Sequence, residues 1–368
     1  MERIGDRGRG FGVIALVGVA LVVLSLAIVV FVDSSGFGYD YAAYDAAARR
    51  IVEGLPLYAA DTAARYAAGL YEGLYLYPPP LAIALTPLTV FSAPDATLAW
   101  MLLRVGMLAG ACAILPVSGT VRLLTFAAAC LSFPVLFDLN IGNISLVVFA
   151  LTAVAWRTRG TAVAAVVHAA LIAIRFPFGV FFLEWLAQRR WRPILWTILA
   201  GLALIALSLP IVGVGTYVDY VTILRGLPDI STGPHNLSLK STVLALGMPD
   251  GMGSVVNLLG YAIGAVAVVF AARRRDEDTA FVVTAVATLL LTPFIHPHYL
   301  VLLLLPAALL MSRGHAWAFF LPLAGWLPDA ILPLVAPATI GLLLVVPARV
   351  VAAAAGPTTA TQPAPIAS

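Results

Sequence analysis

Phe11-Gly-Val-Ile-Ala-Leu-Val-Gly-Val-Ala-Leu-Val-Val-Leu-Ser-Leu-Ala-Ile-Val-Val-Phe-Val32 is a 22-residue stretch in which Ser25 is the only polar side chain. A helix of that length rises about 33 Å at ~1.5 Å per residue, enough to cross the ~30 Å hydrocarbon core of a bilayer. Arg3, Arg7 and Arg9 precede it. The run is long for the apolar core of a signal peptide, and no clear small-x-small cleavage site follows. It reads as an uncleaved signal anchor with its basic N-terminus inside.

The rest of the chain repeats this character. Of its 368 residues, 62% are hydrophobic and 11% charged, whereas soluble domains carry about 25% charged residues. Lipid is therefore the expected solvent for most of the surface. Further apolar runs cover 80–92, 97–116, 121–137, 143–157, 161–174, 176–187, 192–212, 254–273, 279–293, 298–312, 315–332 and 335–352. Arginines fix their sidedness. The N-terminus, Arg122, Arg157 with Arg159, 188–192, Arg273 to Arg275 and Arg313 read as cytoplasmic. Alternation then places loops 33–79 and 213–253 outside, with 138–142, Arg175 and 293–297. The run 80–92 breaks the parity and follows Pro78-Pro79-Pro80, so it reads as re-entrant or surface-lying. The expectation is an all-α polytopic membrane protein with about 12 transmembrane helices, organised as a single domain over 1–355. The Pro- and Thr-rich tail 356–368 reads as disordered. Within loop 33–79, Tyr39 to Gly54 has helical character and is expected to lie on the membrane face. Cys112 and Cys130 sit in apolar runs and read as packing residues.

Ionisable groups at a membrane edge are costly and become functional candidates. Asp40 lies just beyond the first run, at the head of the loop helix. Its carboxylate could take a proton from a hydroxyl nucleophile, or it could be an acid stabilised by the helix N-terminus. Arg175, before Phe176-Pro177, suits a lipid phosphate, or it snorkels. His235, Asn236, Ser238 and Lys240 form a polar cluster that could bind sugar and phosphate, or simply a solvated loop. His296 and His298 flank Pro297 without a third ligand at matching spacing, so hydrogen bonding to phosphate or sugar fits better than a metal site. Asp276-Glu277-Asp278 spells a D-x-D, yet it follows Arg273-Arg-Arg275 and reads as charge balance.

These segments carry a resemblance. Asp40-Tyr41-x-x-Tyr44-x-Ala46-Ala47, Gly54-Leu-Pro-Leu-Tyr58 and Leu76-Tyr77-Pro78-Pro79-Pro80-Leu81 resemble glycosyltransferase family 87. Gly142-Asn143, Arg175-Phe-Pro177, Asn236-Leu-Ser238 and His298-Tyr299 extend the resemblance over about 36–310. Asn143, Arg175 and Leu237 stand where the family often has Gln, Lys and Gln.

The resemblance implies a GT-C glycosyltransferase fold and the use of polyprenyl-phosphate sugars, as in the actinobacterial phosphatidylinositol mannoside mannosyltransferases. It implies inverting transfer of mannose to a glycolipid or lipid-linked glycan acceptor at the outer face of a bacterial plasma membrane, with no metal or other cofactor. Asp40 would be the general base. Arg175, His298 and Lys240 would balance the departing phosphate, while Asn143, His235, Asn236 and Tyr44 would contact sugar or acceptor. Alternatives are an arabinofuranosyltransferase of the same kind, a transporter or lipid flippase, and a non-catalytic membrane scaffold.

Overall fold

The computed structural model describes residues 2–70, 73–227 and 236–346, with side chains from residue 10 onward. His235, Glu72, the end of the run 335–352 and the tail 356–368 lie outside the described residues. Among the described residues the chain forms α-helices joined by 3-10 turns, with no strand. The α-helices are α1 (Glu2–Val32), α2 (Tyr39–Val52), α3 (Thr62–Ala67), α4 (Pro79–Leu85), α5 (Ala93–Ile114), α6 (Gly119–Leu131), α7 (Phe133–Ile141), α8 (Ser145–Arg157), α9 (Ala162–Ile174), α10 (Val180–Ala187), α11 (Trp191–Gly226), α12 (Leu239–Ala245), α13 (Asp250–Arg274), α14 (Glu277–Leu290), α15 (Leu304–Ser312) and α16 (Val335–Val345).

Four of these are long and apolar enough to cross a membrane: Gly10–Val32, Ala93–Ile114, Trp191–Gly226 and Asp250–Arg274. The pair α6 and α7 makes a fifth if it counts as one span. α1, α11 and α13 carry exposed Leu, Val, Ile and Phe along their length, as lipid-facing helices do. α14 and α15 form the centre. Every residue from Thr279 to Leu290 is buried, so α14 touches protein on all sides and reads as apolar all round. On α13 the small residues Gly253, Gly260 and Gly264 lie against α12 and α14, where a Cβ on Gly260 would meet Leu239 Cδ1 at 2.6 Å. Small residues permit such close helix approach in apolar surroundings.

Four stretches differ from the sequence expectation. The run 121–137 is not one helix: α6 ends at Leu131, and α7 leaves at a 61° bend. Pro134 sits in the first turn of α7, where its missing N–H costs nothing. The run 315–332 forms two 3-10 helices, Ala316–Phe320 and Pro322–Trp326. The stretch 213–253, expected as a loop, is helical over much of its described length. α11 continues past a break at Gly213, whose φ of 76° and ψ of 163° suit glycine alone among residues. Ser208 and Tyr217 hydrogen-bond across that break at 2.5 Å; nine residues along a straight helix would separate them by about 13 Å. Finally, α13 starts at Asp250, four residues before the expected span. The loop helix, by contrast, forms as α2 over Tyr39–Val52, and Gly54 has the left-handed φ of 69° that stops it.

The basic turns gather at one end of α14. Arg313 binds Asp276, while Arg159 and Arg190 pair with Asp278 and Glu277. Asp276 also caps α14 by accepting from Thr279 N at 3.0 Å. The D-x-D is thus a helix cap and an ion-pair hub. Cys112 and Cys130 are free and buried.

Candidate functional site

The other end of α14 leads to a place where several chain breaks meet. α2 begins at Gly38, whose φ is 73° and whose N–H donates to Asn140 O at 2.8 Å. α7 ends at Gly142 with φ 80°. A Cβ there would lie 2.7 Å from Tyr41 Cβ. Glycine therefore lets the start of α2 press directly on the α7–α8 turn. α9 ends at Ile174, Arg175 after it is extended, and Pro177 blocks continuation of the helix. The turn 292–298 follows α14.

Asp40 occupies the first turn of α2 and is partly buried. Its Oδ2 accepts from Asn143 Nδ2 at 2.7 Å. Burial pushes its carboxyl above the usual value, opposed by the Asn143 hydrogen bond and the charge of Arg104. Asn143 Oδ1 accepts from the hydroxyl of Ser145 at 3.0 Å and from its N–H at 3.1 Å. The Ser145 hydroxyl in turn accepts from Arg175 Nη2. The Arg175 guanidinium lies 3.5 Å over the centre of the Tyr299 ring, a cation–π contact. His298 abuts Tyr299, stacks on His296 with centroids 5.5 Å apart, and meets Phe137. It is 3% exposed, and both its ring nitrogens lack a hydrogen-bond partner among the described residues. Tyr44, on the turn after Asp40, donates to the Tyr77 hydroxyl at 3.4 Å.

Under this surface lies a buried ion pair. Arg104 Nη1 reaches Asp138 Oδ2 at 2.9 Å, and the side chains are 1% and 0% exposed. Arg104 also donates to the carbonyls of Asp138, Leu139 and Asn143. Asp138 Oδ1 accepts from Ser145 N at 3.0 Å. Trp100 donates to Gly142 O at 2.8 Å and stacks on Tyr41. The α7–α8 turn is therefore held from α2, α5 and α9.

Of the expected site residues, Asp40, Asn143, Tyr44, Arg175 and His298 come together here. Asn236 does not reach Asp40. Its Oδ1 accepts from Ser238 N at 2.9 Å and from Ile295 N at 3.0 Å, and Leu237 N donates to Ile295 O at 2.7 Å. It thus fixes the turn that carries His298. Lys240 lies on α12 in an ion pair with Asp250 at 2.9 Å. Asp45 points elsewhere and binds Arg49 at 2.8 Å. Among the described residues no three His, Cys, Asp or Glu side chains converge as a metal site would need. The sequence reading missed Ser145, Tyr77 and the Arg104–Asp138 pairing. A lone arginine inside an apolar run was the available signal for the last. The arrangement offers a carboxylate able to accept a proton, linked through Asn143 and Ser145 to a guanidinium able to meet an anion.

A family model described as glycosyltransferase family 87 matches residues 75–293. The match includes Tyr77, Arg104, Asp138, Asn143, Ser145 and Arg175; Asp40, Tyr44 and His298 lie outside it. No curated protein and no solved structure matches the chain. A match over more than half of the chain, on a helical architecture with helices apt to cross a membrane, identifies this protein as a member of glycosyltransferase family 87.

Proposed function

We propose that this glycosyltransferase moves a mannosyl residue from a polyprenyl-phosphate donor to a glycolipid or lipid-linked glycan at the outer face of a bacterial plasma membrane. On this reading residues 1–355 form one GT-C-like domain that crosses the membrane about 12 times. The acceptor hydroxyl attacks the anomeric carbon from the face opposite the phosphate. Asp40 takes the hydroxyl proton as the new bond forms. The bond to the phosphate oxygen breaks, its electron pair leaves with polyprenyl phosphate, and the anomeric centre inverts. Phosphate is a stable anion, so one base suffices where most glycosidases need two carboxylates. Arg175 and His298 meet the charge of the departing phosphate. Asn143 orients Asp40, Tyr44 and Tyr77 flank it, and Asn236 braces the turn that carries His298.

The observation that carries this reading is the Asp40 carboxylate, held by Asn143 in one continuous chain of contacts with Arg175. Purified protein given polyprenyl-phosphate mannose and a glycolipid acceptor pool tests it. Asp40→Asn is expected to lower transfer by at least ~100-fold, the usual scale for a general base. Transfer near the wild-type rate would remove Asp40 from the mechanism, and product from polyprenyl-phosphate arabinose alone would replace the sugar. The wild-type pH profile carries a sign. The base works ionised, and burial raises its carboxyl above 3.8, so activity declines as pH falls through that raised value. The acid limb then lies above the range of a solvent-exposed aspartate.

A further inference from the structure

We propose that Ser145 is a positioning residue that couples Arg175 to Asp40 by holding the Asn143 carboxamide in the orientation that donates to Asp40. This rests on the reading of Asp40 as the base. The direction of the chain follows from a proton inventory. A guanidinium has only protons to give, so the Ser145 hydroxyl must accept from Arg175. Its single proton is then free for Asn143 Oδ1, 3.0 Å away. The Ser145 N–H adds a second donor to the same oxygen at 3.1 Å. With its oxygen claimed from this side, the carboxamide turns its NH₂ to Asp40, at 2.7 Å. The flipped amide would set an oxygen against a carboxylate and an NH₂ against the Ser145 N–H.

Two further features make the relay rigid. Ser145 is fully buried, so water cannot stand in for its hydroxyl. Its N–H is anchored to Asp138, which Arg104 holds. Arg175 is flattened on Tyr299 and keeps a buried Nε without a partner among the described residues. A phosphate that engages Arg175 therefore acts on the same guanidinium that sets the Asn143 amide, two side chains from the base. Other charged or titratable groups also act on Asp40. Tyr44 lies on its own helix, Arg104 comes from α5, and Tyr77 and Tyr299 come from the facing turns. None of these binds the Asn143 carboxamide oxygen, so none can replace Ser145 in the relay.

The test is the pH dependence of kcat for mannosyl transfer by the purified full chain. Ser145→Ala should reduce kcat roughly tenfold and move the acid limb upward by about half a pH unit or more, because Asp40 loses a firmly held donor. Donor KM should change less than kcat. Ser145→Cys, nearly isosteric but a weak donor, should shift the limb in the same direction and gives the reading where the alanine variant does not fold. Ser145→Thr keeps the hydroxyl and should keep the limb in place. On an Asn143→Leu background, Ser145→Ala should move the limb no further. An unmoved limb in the Ala and Cys variants, or an equal shift on the Leu background, overturns the relay. If Asp40→Asn abolishes transfer while Ser145→Ala leaves the limb in place, this inference alone fails. If Asp40→Asn retains transfer, the assignment of the base fails.

Discussion

Arg104 and Asp138 are both nearly inaccessible and pair at 2.9 Å beneath the α7–α8 turn. Removing one member of such a pair leaves the other uncompensated, at a cost of about 3–5 kcal/mol. Arg104→Met is therefore expected to lower the unfolding temperature of the detergent-solubilised protein sharply. Arg104→Met with Asp138→Leu should recover much of that loss, since a well-packed apolar pair is often neutral in such a place. A single variant as stable as the wild type would contradict the pairing. Sequence alone shows Arg104 as a lone charge in an apolar run, and Asp138 as one acid among several near a turn. Their pairing depends on a crossing of α5 and α7 that no local pattern encodes. Ser145 is hidden for another reason: a serine at the start of a helix reads as an ordinary capping residue. Asp40 by itself also reads as an acid stabilised by the helix N-terminus; the resemblance of Asp40-Tyr41-x-x-Tyr44 is what singles it out.

Element boundaries follow the same logic. The helix starts after Ser92, Ser118, Thr161 and Ser238 are each capped by a side-chain oxygen that accepts from a backbone N–H three residues on. The break between α6 and α7 is hidden because both sides are apolar and the proline is compatible with a helix start. The helix after Gly213 is hidden because valine, tyrosine and threonine with scattered charges look like a loop. Gly142 allows a sharper element-scale test. Gly142→Ala adds left-handed strain of about 1–2 kcal/mol and drives a methyl into Tyr41, on the helix that carries Asp40. Gly54 has a similar φ of 69° but open space around it. Transfer activity should fall far more in Gly142→Ala than in Gly54→Ala, beyond what their melting temperatures explain. Equal losses would mean that the start of α2 tolerates displacement.

At the scale of the molecule, the basic turns cluster at the N-terminal end of α14 and the Asp40 site lies beyond its C-terminal end. On the proposed topology, with the basic turns inside, the two ends lie on opposite sides of the membrane. Asp33 is exposed and Asp278 half-buried near the two ends. In intact cells, an impermeant maleimide should label Asp33→Cys from outside and reach Asp278→Cys only after permeabilisation. Labelling of position 33 only from the cytoplasmic side would invert the topology and the face of the reaction.

The lengths of two helices bear on where the chemistry happens. α8 begins at Ser145 and α9 ends just before Arg175, and each has 13 residues. Each rises only about 20 Å, some 10 Å short of a hydrocarbon core of ~30 Å. α5, with 22 residues, rises about 33 Å, so α8 and α9 cannot match it end for end. On the proposed function, the short α8 and α9 would let a donor bring its phosphate to Arg175 without lifting its isoprenoid tail out of the oil, the adjoining bilayer thinning to meet them.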